Sequence, residues 1–284
     1  MLRKIIVPVR GDGMTDTVLH HAAAMAKRHT AHVVVAHCRA RAEDLIPNSS
    51  HLPAFARETL AEQARELADQ QEQGVREQLQ QMAPILGLPE TDAPVAGTAS
   101  IEFVQEEGTM ADVIKRTGRL ADLVVVAKPD RDRNLGANSL KSALFRTGRP
   151  VLMCPGKTDT TAMMGGHVTV AWNGSLEAAR AVASTLPIVR SAEKVTILSG
   201  GIGEPIGAST DELIAYYKLQ EISAESVRFD TRNPAEALLT KTAEVGANLL
   251  IMGAYGQNHE RETLFGGNTQ AVVDKAELPV VLVH

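Results

Sequence analysis

An internal repeat constrains this chain more than any other feature. Lys4-Ile-Ile-Val-Pro-Val-Arg-Gly-Asp12 aligns with His167-Val-Thr-Val-Ala-Trp-Asn-Gly-Ser175, an apolar run entering a turn with a shared glycine, Gly11 and Gly174. Helical patterns follow at about 15–28 and 175–187, then the apolar runs His32-Val-Val-Val-Ala-His-Cys38 and Lys194-Val-Thr-Ile-Leu-Ser199. Later in each half, Ala121-Asp-Leu-Val-Val-Val-Ala127 matches Ala247-Asn-Leu-Leu-Ile-Met-Gly253, and Gly136-Ala-Asn-Ser139 matches Gly266-Gly-Asn-Thr269. Each half closes on a Pro-led strand, Pro150-Val-Leu-Met-Cys154 and Pro279-Val-Val-Leu-Val283. Landmarks repeated in one order mark a duplicated architecture. The polar, glycine-flanked stretch 156–166 reads as the linker between units at 1–155 and 167–284.

Apolar strands without polar alternation suit a parallel sheet covered on both faces, because neither face meets water. Helical segments between them make right-handed βαβ crossovers, so each half is expected to be an α/β, doubly wound parallel-sheet domain, two in tandem. Asn233-Pro234 reads as a helix start, with Gly246 as its stop. Ser209-Thr-Asp-Glu212 reads as a capping box for a helix over about 209–222. Residues 55–86 predict a long helix with Leu60, Leu67, Val75, Leu79, Met82 and Leu86 along one core-facing stripe.

At 284 residues, 44% of them hydrophobic, the chain can bury two cores. No apolar run approaches a membrane span, and the N-terminus reads as a strand rather than a signal peptide. Cys38 and Cys154 lie in apolar runs away from any ligand-spaced cluster, which reads as buried thiols in a cytoplasmic protein. A net charge of -5 and 3% aromatic content leave little to attract or stack a nucleic acid. His20, His21, His29, His32 and His37 have poor ligand spacing and read as core or surface residues. No metal site is assigned.

In an open parallel sheet, ligands bind beyond the carboxyl ends of the strands. In the second half those positions are Ala171-Trp-Asn-Gly-Ser175 and Met252-Gly-Ala-Tyr-Gly256, the latter leading through 257–265 to Gly266-Gly-Asn-Thr269. Gly253 and Gly256 would permit positive φ and close approach to a ligand. Gly266, Gly267, Asn268 and Thr269 would open a helix whose amides and dipole favour an anion. His259, Glu260 and Glu262 read as solvent-facing loop residues. No nucleophile is paired with an identifiable base, so no catalytic residue is assigned. The Ser199-Gly-Gly-Ile-Gly-Glu204 stretch follows the wrong strand for a phosphate loop and does not match a dinucleotide fingerprint.

The Gly-x2-Gly-x9-Gly loop, the Ala-Trp-Asn-Gly-Ser turn and the closing Pro-Val-Val-Leu-Val strand resemble the universal stress proteins. The resemblance is close in 166–284 and looser in 1–155. It implies an adenine-nucleotide-α-hydrolase-like fold and a site for ATP or a related nucleotide, with or without Mg2+, formed by Ala171, Trp172, Asn173, Met252, Gly253, Gly256, Gly266, Gly267, Asn268 and Thr269. Asn173 stands where nucleotide-binding members carry Asp, and Gly267 where they carry Ser or Thr; Thr269 is expected to keep a hydroxyl near the phosphates. Family members dimerise through their last strands, which here implies that 150–154 pairs with 279–283 in an intramolecular pseudo-dimer. In the first half, Arg10 takes the Asp position, Ala127 and Asp130 take the loop-glycine positions, and only Arg131 to Leu135 precede Gly136. That half reads as a structural or regulatory partner. Three readings remain open: a nucleotide-responsive stress protein with a protein partner, an interaction protein using the crevice for another small ligand, and an enzyme acting on a phosphorylated substrate.

Overall fold

Strands rich in valine, isoleucine and leucine with both faces apolar cannot rest against water, and the chain stacks ten of them edge to edge under helices. The computed structural model describes residues 1–10, 15–41, 53–130, 132–133, 135–156, 163–200, 207–256 and 267–284. In the first half these form β1 (Lys4–Val9), α1 (Thr15–His29), β2 (His32–Arg39), α2 (Ala54–Leu86), β3 (Ser100–Glu107), α3 (Met110–Gly118), β4 (Leu123–Ala127), α4 (Ala137–Arg146) and β5 (Val151–Cys154). The second half forms β6 (His167–Ala171), α5 (Leu176–Arg190), β7 (Lys194–Gly200), α6 (Thr210–Leu219), β8 (Glu225–Phe229), α7 (Pro234–Glu244), β9 (Leu249–Gly253), α8 (Gly267–Lys275) and β10 (Val280–Val283).

The strand order is β3-β2-β1-β4-β5-β10-β9-β6-β7-β8. Each half therefore repeats one doubly wound order, and the halves merge into a single sheet. Every neighbour pair is parallel except β5 with β10, where Met153, Leu152 and Val151 face Val280, Val281 and Leu282. These closing strands are wholly buried, so their pairing covers two apolar edges at once. The outer edges fall on β3 and β8, whose exposed Glu and Arg side chains discourage further pairing.

Successive strand residues point to opposite faces. Val125, Leu152, Ile251 and Val281 join one core with α1, α5 and the end of α2, while Val124, Met153, Leu250 and Val280 join the other. The core stripe expected along 55–86 is only half realised. Val75, Leu79 and Leu86 are buried and Met82 packs beside them, whereas Leu60 and Leu67 are 36% and 51% exposed. Length explains it: 33 residues of helix run about 50 Å, against about 26 Å for the eight-residue strands below.

Local signals behave unevenly. Ser209 and Glu212 form the reciprocal capping box. Pro234 opens α7, but the Asn233 side chain makes no capping bond, while Gly246 follows the helix at φ 73°. Pro187 lies inside α5, which continues to Arg190. Cys38 and Cys154 are buried and not joined in a disulfide. His32 shares a hydrogen bond with Ser100 Oγ at 2.8 Å, and buried His37 stacks on Phe103. Among the described residues no helix is long and apolar enough to cross a membrane, and no three His, Cys, Asp or Glu side chains gather as a metal site.

Candidate functional site

The site grows from the turn after β6. Asn173 Oδ1 accepts the Ser175 N–H at 3.1 Å, and Ser175 Oγ accepts the Ala178 N–H at 3.2 Å, so two short polar side chains start α5. Gly174 holds φ 75°, and a β-carbon on it would meet Gly207 N at 2.8 Å. The buried Trp172 ring donates from Nε1 to Ala208 O at 3.0 Å, tying the turn to the chain before α6.

Beside it, β9 ends at Gly253. Neither Gly253 nor Gly256 has positive φ; the left-handed residue is Tyr255, at φ 58°. That corrects the role expected of these glycines. A β-carbon on Gly253 would strike the backbone of Glu177 and Ala178 at 2.5–2.7 Å, so this glycine lets the first turn of α5 seat against the strand end. Gly256 faces the Glu177 carboxylate, with Oε2 3.4 Å from where its β-carbon would be. Thr269, expected to offer its hydroxyl to a ligand, is buried, and its Oγ1 accepts the Tyr255 N–H at 3.3 Å. Its hydroxyl joins the loop to α8.

These segments enclose a cavity of about 650 Å³ beyond the carboxyl ends of β6 and β9. They are where the strand order reverses, the usual place for a ligand in such a sheet. Ala171, Trp172, Asn173, Met252, Gly253, Gly256, Gly267, Asn268 and Thr269 all line it. Gly266, the stretch 257–265 with His259, Glu260 and Glu262, and the shared Gly11 of the first half lie outside the described residues. Tyr255, within the stretch 252–256, lines it too, whereas the sequence reading did not anticipate the wall made by Leu198, Phe229 and Leu238, nor Glu177. The walls from β7, β8 and α7 carry no local motif. Glu177 does carry a signal, an acid in the first helical turn after a Ser cap.

Glu177 is the only charged side chain among the described lining residues. Two helix N-termini, those of α5 and α8, open on the same space. One side of the cavity is thus apolar and able to hold a flat hydrophobic group, and the other presents backbone donors to an anion.

The equivalent place in the first half is built differently. Asp130 and Leu135 exchange two backbone hydrogen bonds of 3.0 and 2.9 Å, and Asp130 Oδ1 accepts the Arg133 N–H at 3.1 Å. Gly136 follows and lies against the end of β4 and the residues after it, since its β-carbon would be 3.3 Å from Pro129 Cα. Lys128, next to Ala127, donates its ammonium to Ala276 O at 2.9 Å, at the end of α8 in the other half. Burial lowers its pKa. Arg10 is exposed at the end of β1. Arg131 lies outside the described residues.

The chain's fold is similar to that of a universal stress protein from Archaeoglobus fulgidus DSM 4304, at 16% identity and a TM-score of 0.71, with 99% of this chain and 97% of that one covered. Two proteins from Pseudomonas aeruginosa, strains UCBPP-PA14 and PAO1, are similar at 14% identity and TM-scores of 0.56, covering 99% of this chain and 93% and 92% of theirs. No curated protein matches the chain in sequence. The model of the universal stress protein family matches residues 1–144 and again 164–284, nearly the whole length. The chain belongs to the universal stress protein family.

Proposed function

We propose that this protein is a stress-response protein that binds ATP or a related adenine nucleotide in the second-half crevice, and that occupancy changes the surface offered to a protein partner. The units taken are 1–155 and 167–284 about a linker at 156–166, with the first as the structural or regulatory half. One observation carries the reading: nine residues chosen by motif, in three separate segments, converge on one cavity. Its volume of about 650 Å³ falls in the range of small-molecule sites, roughly 300–1,000 Å³. Its apolar wall suits a base, and the α8 N-terminus suits phosphate. Two buried cysteines not joined in a disulfide support a reducing, cytoplasmic setting.

Calorimetry with ATP and Mg2+ tests it. Heat is expected for the wild type and none for Gly256→Trp, whose indole would fill the crevice. Absence of heat for both at millimolar ATP would overturn the proposal.

A second reading, an interaction protein holding a different small ligand, is favoured by Asn173 and Gly267, which stand where nucleotide-binding family members carry Asp and Ser or Thr, and by the altered first half. Mass spectrometry of molecules released on denaturation separates the two. A co-purified metabolite or lipid without nucleotide supports this second reading.

A further inference from the structure

Glu177 brings a carboxylate to the floor of the crevice with only 8% of the residue exposed. Its side chain has no hydrogen-bond or ion-pair partner among the described residues. An ionised group taken out of water is costly unless it is compensated. The first turn of α5 supplies part of the compensation, because the helix dipole favours an anion there. The residue lines the cavity, with its carboxylate beside Gly256.

Two glycines keep it there. Gly253 admits the Glu177 backbone against β9, and Gly256, lacking a β-carbon, leaves Oε2 uncovered. The next residue back, Tyr255, is hydrogen-bonded to Thr269 in the first turn of α8. The carboxylate therefore shares one cavity with the helix end that would draw phosphate groups. Like charges so placed repel, and the described lining offers no cationic side chain to offset them. The polar side chains that share this lining are neutral, and Asn173 already has its Oδ1 bonded to Ser175. A divalent cation resolves the conflict: Mg2+ binds through one or two carboxylates together with phosphate oxygens and retains several waters.

We infer that Glu177 supplies the protein's carboxylate ligand to a divalent cation carried on the nucleotide's phosphates, so that the crevice takes the nucleotide as its metal complex and rejects it bare. This rests on the nucleotide reading of the site.

The test measures ATP affinity for the wild type and Glu177→Gln, each with excess Mg2+ and with EDTA. For the wild type, removing Mg2+ is expected to weaken binding about tenfold or more. Glu177→Gln is expected to weaken Mg-ATP binding and to bind bare ATP more tightly than the wild type does, so the two proteins exchange rank. Equal Mg2+ dependence in both proteins, or tighter binding by the variant in both conditions, overturns the inference and leaves the nucleotide reading standing. No ATP binding in any arm overturns both. A measurement on the wild type alone covers a variant that fails to fold. Mn2+ should bind the protein–ATP complex more tightly than free ATP, and equal affinity overturns the inference.

Discussion

A β-carbon on Gly253 would lie 2.5 Å from the carbonyl carbon of Glu177 and 2.7 Å from the amide nitrogen of Ala178, so the end of β9 and the start of α5 meet backbone to backbone. Gly253→Ala must push the two apart, an overpacking expected to cost about 1–3 kcal/mol in urea unfolding. Gly256→Ala meets only the far end of a flexible side chain at 3.4 Å and should stay within about 0.5 kcal/mol of the wild type. Equal losses for the two variants would show that this contact is not what demands glycine at 253.

Thr269 Oγ1 is the acceptor for the Tyr255 N–H, in a buried setting. Thr269→Val keeps the shape and leaves that amide unsatisfied, with an expected loss of about 1–3 kcal/mol. Thr269→Ser keeps the acceptor and should recover most of it. A serine variant as unstable as the valine one would mean that the methyl group, not the hydroxyl, matters here.

Arg28, in the last turn of α1, donates through Nε to Met164 O at 3.1 Å and through Nη1 to Ser191 O at 2.8 Å, and pairs with Glu193 at 3.5 Å. The exposed ion pair adds little. The two bonds to backbone carbonyls bind the first half to the segments flanking β6 and α5. Arg28→Ala is expected to cost about 1–3 kcal/mol, whereas Glu193→Gln should cost under about 0.5 kcal/mol. Chemical denaturation of both variants checks the ranking.

The parts of the fold that write themselves as continuous apolar runs were legible: β1, β2, β4, β5 and their repeats β6, β7, β9 and β10. The outer strands β3 and β8 were not, because a sheet edge alternates Glu, Gln, Ser and Arg with its apolar residues and looks like surface. The cavity-lining residues tied to glycine and turn chemistry were legible in the sequence, since those positions are fixed by local backbone demands. Their roles were less legible than their places. Gly253 also packs against Glu177 and Thr269 also tethers Tyr255, contacts that depend on neighbours far away in sequence. Phe229 and Leu198 line the cavity only through sheet register, which no local pattern encodes.

His29 carries a pH dependence that can be isolated. It closes α1 fully buried, with Nε2 3.4 Å from Ser191 Oγ across the junction of the halves. Burial first, then the charges of the amino terminus and Arg28, lower its pKa from 6.5 to about 4. The unfolded chain therefore binds a proton at pH values where the folded chain does not. Stability from this residue is fully present above pH 6.5 and is lost as the pH falls toward 4, by about 3 kcal/mol over that window. His21 and His37 are lowered in the same direction by burial and add to the slope. His29→Gln removes one titrating group while keeping a polar side chain near Ser191. Its unfolding free energy is expected to fall less steeply than the wild type's between pH 6.5 and 4, even if it starts lower at neutral pH. Parallel pH profiles for the two proteins would show that His29 is not held neutral in the folded chain.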